Sequence, residues 1–237
     1  MAVAEPSVEQ FSNSVSKSIA ATRPPFLLAS AVPCFIGLGS VGYQGMSIDW
    51  LSALLTVVGA VAAHAGVNVL NDYYDALNGT DACNDERIFP FTGGSRFIQN
   101  GLMTPESTAS LGAGLLLFAA AVGLLLLPAA GSELLLVGGA GLLIGWAYSA
   151  PPLALNSRGL GEISVAAGFG VLIPLGADLV QRGELVWFPA AAGVSYALLA
   201  AALLYINQFP DRRADEQAGK RHWVVRLGPR RGRWKAA

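Results

Sequence analysis

"WLSALLTVVGAVAAHAGVNVLNDYYDALNGTD", residues 50–81, is the stretch on which the fold turns. Its first part, Trp50 to Leu70, carries no Asp, Glu, Lys or Arg, and its end carries Asp72, Asp75 and Asp81. An α-helix needs roughly 20 apolar residues to cross the ~30 Å hydrocarbon core of a bilayer, so the stretch reads as a membrane span with a polar mouth. Weakly charged runs of similar length recur at 26–43, 109–130, 134–150, 163–180 and 186–206. With 53% of residues hydrophobic and only 13% charged, and a mean hydropathy of +0.50, the chain lies outside the range of ordinary soluble domains. The short alternating segments of a membrane barrel are absent, and lipid tolerates no other spanning structure than the helix. The expected fold is all-α, a polytopic transmembrane bundle of six spans over 23–228, flanked by a cytoplasmic segment 1–22 and a basic tail 229–237.

The placement of basic residues orients the spans. Lys17 and Arg23 precede the first run, Arg87 and Arg96 lie between the second and third, Arg158 follows the fourth, and nine of the fifteen Lys and Arg follow the sixth. The connections after the first and third runs carry none, and the one after the fifth carries only Arg182. The positive-inside rule therefore puts both termini and the aspartate-rich mouth in the cytoplasm, in a bacterial-type inner membrane. No signal peptide is expected, because the first run is long, starts after Pro24-Pro25 and lacks a small-residue cleavage pattern. Cys34 within a span and Cys83 in a loop suggest neither a disulfide nor a paired-cysteine metal site.

On a helix, residues four apart share a face, so His64, Asn68 and Asp72, with Asn71 and Asp75 one step around, form a stripe down the second span. Such a stripe belongs in a bundle interior or a wet cavity, unless it is only a helix end turning polar at the interface. A second copy argues against the plainer reading. "NQFPDRRADEQAGKR", residues 207–221, places Asn207, Asp211 and Asp215 at steps of four on the same membrane side. Clustered hard oxygen ligands with water access suit Mg²⁺, which commonly joins one or two carboxylates to phosphate oxygens. Arg96 after Gly93-Gly94, and Lys220 and Arg221 after the second stripe, supply the cations that a diphosphate needs.

These residues carry a resemblance. "NDYYDALNGTD" (71–81), "FTGGSR" (91–96), "GWAYSAPPLALNSRGLGE" (145–162) and "FPDRRADEQAGKRHWVVRLG" (209–228) resemble the UbiA superfamily of intramembrane aromatic prenyltransferases, and most of all its menaquinone branch, which prenylates dihydroxynaphthoate. The resemblance covers nearly the whole chain. It implies that Asp72, Asp75, Asp211 and Asp215 hold Mg²⁺ on a prenyl diphosphate, with Asn68, Asn71 and Asn207 extending or orienting the metal shell. Arg96, Lys220 and Arg221 would then stabilise charge on the leaving diphosphate, and Arg158 is a further diphosphate contact or a positive-inside anchor. Departure of diphosphate leaves an allylic cation that needs a dry site with electron-rich faces. Tyr148, Trp146 and Tyr74 are candidates, and Trp146 and Tyr148 are equally well read as interfacial anchors. The implied partners are a prenyl diphosphate, an aromatic acceptor and the lipid bilayer. Hydroxybenzoate and tetrapyrrole acceptors are alternatives within the family.

His64 reads as a satisfied bundle histidine, Asp85-Glu86 as a solvated loop pair, and Asp81 as a loop residue at the edge of the metal shell. Glu162 is a weaker site candidate, and Asp178 falls on the opposite membrane side. The basic tail is expected on anionic head groups and not on nucleic acid. A divalent-cation transporter is the alternative class, although ligands at one face beside Lys and Arg do not suit a transported cation. Members of the resembled family have about nine spans, whereas this sequence runs into "PRRGRWKAA" after the second motif. The expectation is a truncated form with little transfer activity alone, a compact variant that closes its cavity as a homo-oligomer being the alternative.

Overall fold

The computed structural model describes residues 4–233, and all regular structure among them is helical. The first three residues and the end of the basic tail, 234–237, lie outside the described residues. A short helix α1 (Ser14–Ala21) lies ahead of α2 (Leu28–Tyr43), α3 (Trp50–Leu77), α4 (Pro105–Ala130) and α5 (Glu133–Ser149). After a turn at Leu155–Arg158 come α6 (Gly161–Val165), a π-helical stretch Ala166–Leu172 and α7 (Ile173–Arg182), which together make one span. The long α8 (Phe188–Gln217) follows, and then α9 (Trp223–Arg233), broken at Gly228.

Five described helices are long and apolar enough to cross a membrane, and α5, with 17 residues, falls just short of that length. The expected fourth span is thus a helix of about 25 Å, shorter than a standard hydrocarbon core. The other five expected runs sit on full spans. Helix α3 begins where Asp49 accepts the Ser52 N–H at 3.1 Å, and α4 where Thr104 and Ser107 form a reciprocal cap ahead of Pro105. Both are standard ways to satisfy the orphan N–H groups of a first turn.

The core lies toward the membrane side away from the aspartates. There Val122, Leu126, Leu134, Leu175, Leu179 and Val180 from α4, α5 and α7 pack together. At the same end Asp178, 1% exposed, takes the Arg182 guanidinium at 2.6 and 2.8 Å and the Ser40 hydroxyl. This buried pair ties α2 to α7 and lies far from the acidic stripes, as its sequence position implies. A smaller cluster of Ala21, Phe97 and Leu102, with Phe11 against Phe97, fastens the loop 84–104 to the N-terminal segment.

The π-helical stretch and α8 meet through small residues. A Cβ at Gly193 would land on the Gly170 carbonyl oxygen, and one at Gly170 on Ala197. Gly193→Val therefore forces the two helices apart, and overpacking of this kind costs about 1–3 kcal/mol. The expected result is a clear drop in melting temperature of the detergent-purified protein; an unchanged melting curve would show that the contact gives way freely.

Candidate active site

A cavity of about 780 Å³ runs between α3, α5, the π-helical stretch and α8. Its deep end is apolar, with Leu55, Leu126, Leu134, Val137 and Val180, and its mouth carries Asn68, Asn71, Asp75, Asn207, Asp211, Asp215 and Lys220. That volume lies within the usual range for sites that bury a small organic ligand.

The two acidic stripes meet at the mouth. Lys220 Nζ lies 2.8 Å from Asp75 Oδ1 and 3.0 Å from Asp215 Oδ1, so a single ammonium joins α3 to α8. Two carboxylates that share one such donor stand within roughly 6 Å of each other, twice a hydrogen-bond length. Asp75 also accepts from Asn71 and Asn78, at 3.3 and 3.2 Å, and Asp215 is paired with His222 Nε2 at 3.0 Å. Asp211 takes Asn84 Nδ2 at 2.7 Å and the Gly93 N–H at 3.1 Å. Asp72 is 5% exposed and accepts the Ser95 N–H at 3.1 and 3.3 Å. The loop Thr92–Ser95 is thus stretched between the two stripes, one backbone N–H on each. Gly94 makes that approach possible: its φ is +72°, and a Cβ there would stand 2.7 Å from Asp72 Oδ1.

Asp81 is also at the mouth, buried at 3% exposure, with Gln99 Nε2 at 3.1 Å. Burial and the neighbouring Asp75 and Asp72 carboxylates push its carboxyl up to about 8, against the pull of Lys220 and Arg96. Lys220 shows the reverse balance: burial works against its charge, yet Asp75 and Asp215 raise its pKa above the ordinary lysine value. The mouth carries more carboxylates than cations, and its hard oxygens include one without a partner, the buried Asn84 Oδ1 beside Asp211.

The sequence of residues 30–237 matches the model of the UbiA prenyltransferase family. The chain belongs to that family. Relatives of this UbiA chain include the 1,4-dihydroxy-2-naphthoate octaprenyltransferase of Mycobacterium tuberculosis, 30% identical over 93% of the chain and 73% of the relative. The enzyme of that name from Escherichia coli is 30% identical over 87% of the chain and 67% of its own length. The 2-carboxy-1,4-naphthoquinone phytyltransferase of Synechocystis is 27% identical over 90% of the chain and 67% of its own length. The solved structure of a UbiA homolog from Archaeoglobus fulgidus bound to DMAPP and Mg²⁺ has the same fold, with a TM-score of 0.71 at 20% identity, over 93% of this chain and 72% of that one.

Within this UbiA fold the cations sit differently from the sequence expectation. Arg96 adopts φ +67° and turns from the cavity to the Asp81 carbonyl and to Glu5, 3.7 Å away. Arg221 is exposed, and its N–H bonds to the Ser157 carbonyl at 2.6 Å. Arg158 reaches the Pro152 carbonyl at 2.6 Å, and its own carbonyl accepts from Arg226 at 2.8 Å. These two arginines join the 150–160 turn to the second acidic segment, and neither lines the cavity. Besides Lys220, the Lys or Arg that lines the cavity among the described residues is Arg23, with φ +60°, its guanidinium 4.4 Å over Phe26 and 3.4 Å from the Phe91 carbonyl. In the sequence Arg23 served only to orient the first span.

Among the aromatic candidates Tyr148 lines the cavity, whereas Trp146, 39% exposed, and Tyr74, stacked edge-on to Tyr73, do not. Phe169 does, packed edge-on against His64, whose Nδ1 stands 3.3 Å from Ser30 Oγ. Asn68 donates to the Thr22 carbonyl at 3.2 Å and Asn71 to Ser149 at 3.0 Å, so both asparagines brace the mouth. Glu162 takes Gln208 Nε2 at 2.9 Å between α6 and α8, and Glu86 pairs with Arg213 on the surface. Asn84, Thr92 and His222 are site residues that sequence reasoning passed over. The one clue to His222 is its position directly after Lys220-Arg221, where the Gly219 turn brings it back onto Asp215.

Proposed function

We propose that this membrane chain transfers a prenyl group from a prenyl diphosphate to the ring of an aromatic acceptor, a dihydroxynaphthoate. The observation that carries the reading is the meeting of Asp75 and Asp215 on one cation at the head of a deep apolar cavity. Diphosphate needs the polar mouth and a long prenyl tail needs the greasy depth; one continuous cavity serves both. Family membership and the names of the naphthoate-prenylating relatives support the transfer and the acceptor class.

The mouth fits Mg²⁺. Among the described residues no three His, Cys, Asp or Glu side chains form a complete metal site, and Mg²⁺ ordinarily takes one or two carboxylates and completes its shell with water and phosphate oxygens. Asp72 and Asp75 on one stripe and Asp211 and Asp215 on the other are the ligands we assign, one or two carboxylates to each ion, with Asn84 Oδ1 a further hard oxygen. Divalent metal held by these residues would neutralise charge on the diphosphate and so make it a better leaving group.

The chain's residues do the rest. As the prenyl C1–O bond breaks, its electron pair leaves with the diphosphate, and Lys220 and Arg23 face the growing negative charge. The allylic cation is left against Tyr148 and Phe169, whose ring faces favour positive charge, and the apolar lining keeps out water that would trap it as an alcohol. A ring carbon of the acceptor then bonds to C1, and the group that it carried departs, a proton to the released diphosphate or a carboxylate as CO₂. Both acidic stripes open, in our assignment, to the cytoplasmic face of the inner membrane.

Membranes carrying the chain, given a labelled prenyl diphosphate, Mg²⁺ and either dihydroxynaphthoate or hydroxybenzoate, are expected to form a prenylated dihydroxynaphthalene, with or without its carboxyl group, and to lose all turnover in excess EDTA. Product from hydroxybenzoate alone would reassign the acceptor; turnover undiminished by EDTA would remove the metal from the reading. Within the same assay Arg23→Ala is expected to raise KM for the diphosphate about tenfold or more, the loss of one charge-assisted contact. Arg158→Ala and Arg221→Ala are expected to change it less than about threefold, since exposed charges contribute little. A larger effect of Arg158 than of Arg23 would show that the diphosphate lies elsewhere.

A further inference from the structure

Asp75 and Asp215 come from different helices and meet on the Lys220 ammonium at 2.8 and 3.0 Å, with the lysine side chain only 8% exposed. Among the described residues the ion pairs that reach these two carboxylates are Lys220 on both and His222 on Asp215. A carboxylate pair withdrawn from water needs positive charge between its members, and here the charge is supplied by the protein itself. An ammonium and Mg²⁺ cannot share that space, because like charges a few ångströms apart repel strongly where water is scarce.

We propose that Lys220 is a stand-in for the metal: it holds Asp75 and Asp215 together until a diphosphate draws its ammonium away and leaves both carboxylates to the divalent cation. The inference rests on the prenyl diphosphate reading above and adds an order of events to it. The geometry allows the exchange. Lys220 follows Gly219, whose φ of +81° ends α8, and its N–H stays on the Asp215 carbonyl at 2.8 Å. Its root is thus fixed while a flexible four-carbon stem carries the head. A diphosphate at the mouth offers the ammonium new anionic oxygens and at the same time supplies phosphate ligands to the metal. Metal and diphosphate therefore bind cooperatively, and the metal alone binds weakly because it must displace a cation that has nowhere else to go. Linkage makes the effect reciprocal.

The test is Mn²⁺ binding, followed by electron paramagnetic resonance on the purified full chain, with and without inorganic pyrophosphate and corrected for the complex that the two form in solution. In the wild type pyrophosphate is expected to tighten Mn²⁺ binding by about 5- to 150-fold, the ordinary range of coupling between sites. Lys220→Met is expected to bind Mn²⁺ alone more tightly than the wild type by a factor of the same order, and to lose most of the gain from pyrophosphate. Lys220→Arg, which keeps a cation, restores the coupling. Should Lys220→Met fail to fold, the wild type still decides, since Mn²⁺ bound as tightly without pyrophosphate as with it overturns the proposal. Lys220→Met binding Mn²⁺ alone no better than the wild type also overturns it, while coupling retained in the wild type would leave the prenyl diphosphate reading standing. No Mn²⁺ binding to either protein, even with pyrophosphate, overturns both.

Discussion

Replacing Asp211 or Asp72 by Asn is expected to lower kcat/KM for prenyl transfer by roughly 10²–10³-fold, equivalent to about 3 to 4 kcal/mol of lost transition-state stabilisation. Asparagine keeps the shape and removes the charge. At Asp211 both oxygens are engaged, one by Asn84 Nδ2 and one by the Gly93 N–H, so an amide NH₂ in either position meets a donor. At Asp72 both oxygens face the Ser95 N–H, and the same conflict arises. The loss is therefore double: a ligand charge disappears and the Thr92–Ser95 loop is released from one stripe. Asp85→Asn, on an exposed loop residue, serves as the control and should leave turnover unchanged. Near-normal turnover in Asp72→Asn or Asp211→Asn would remove the acidic stripes from the chemistry and return them to polar helix ends.

Gly94→Ala is expected to reduce turnover at least about 10²-fold without touching any charged group, since displacing reacting groups by about 1 Å can cost that much. The added methyl has two costs. It must adopt φ +72°, disfavoured for any residue with a Cβ by about 1–2 kcal/mol, and it would stand 2.7 Å from Asp72 Oδ1 and 3.3 Å from Asp81 Oδ2. The loop must withdraw, and with it the N–H groups on Asp72 and Asp211. Gly101→Ala separates the two costs: its φ is +70° in the same loop, but a Cβ there meets nothing within 4 Å. It should lower the melting temperature and spare turnover. Equal loss of turnover in both variants would mean that the loop acts through its general stability and not through its grip on the carboxylates.

How much of this was legible beforehand follows from range. Spans two and six were readable because a bilayer needs long uncharged runs, and the acidic stripes because a period of four places residues on one helix face. The shortness of α5 was not, because residues 134–150 look as apolar as a full span and only the helix ends at Glu133 and Ser149 set its length. Nor was the π-helical stretch Ala166–Leu172, which widens the turn just where Gly170 packs against α8.

The cations show the boundary most clearly. Arg96 stands next to the Gly93-Gly94 turn and reads as a diphosphate ligand, yet the backbone carbonyl of Asp81 and the carboxylate of Glu5 claim its guanidinium. Arg23 reads as a topology marker and stands in the cavity wall. By itself the sequence determined the membrane setting, the helical class, the two acidic stripes and the family that they resemble, because hydrophobic length and helical periodicity are local properties. Only the tertiary structure decided which charges meet. Asp75 and Asp215 are far apart in the chain and join through Lys220, because a charge buried away from water must find a partner across whatever helices happen to pack beside it.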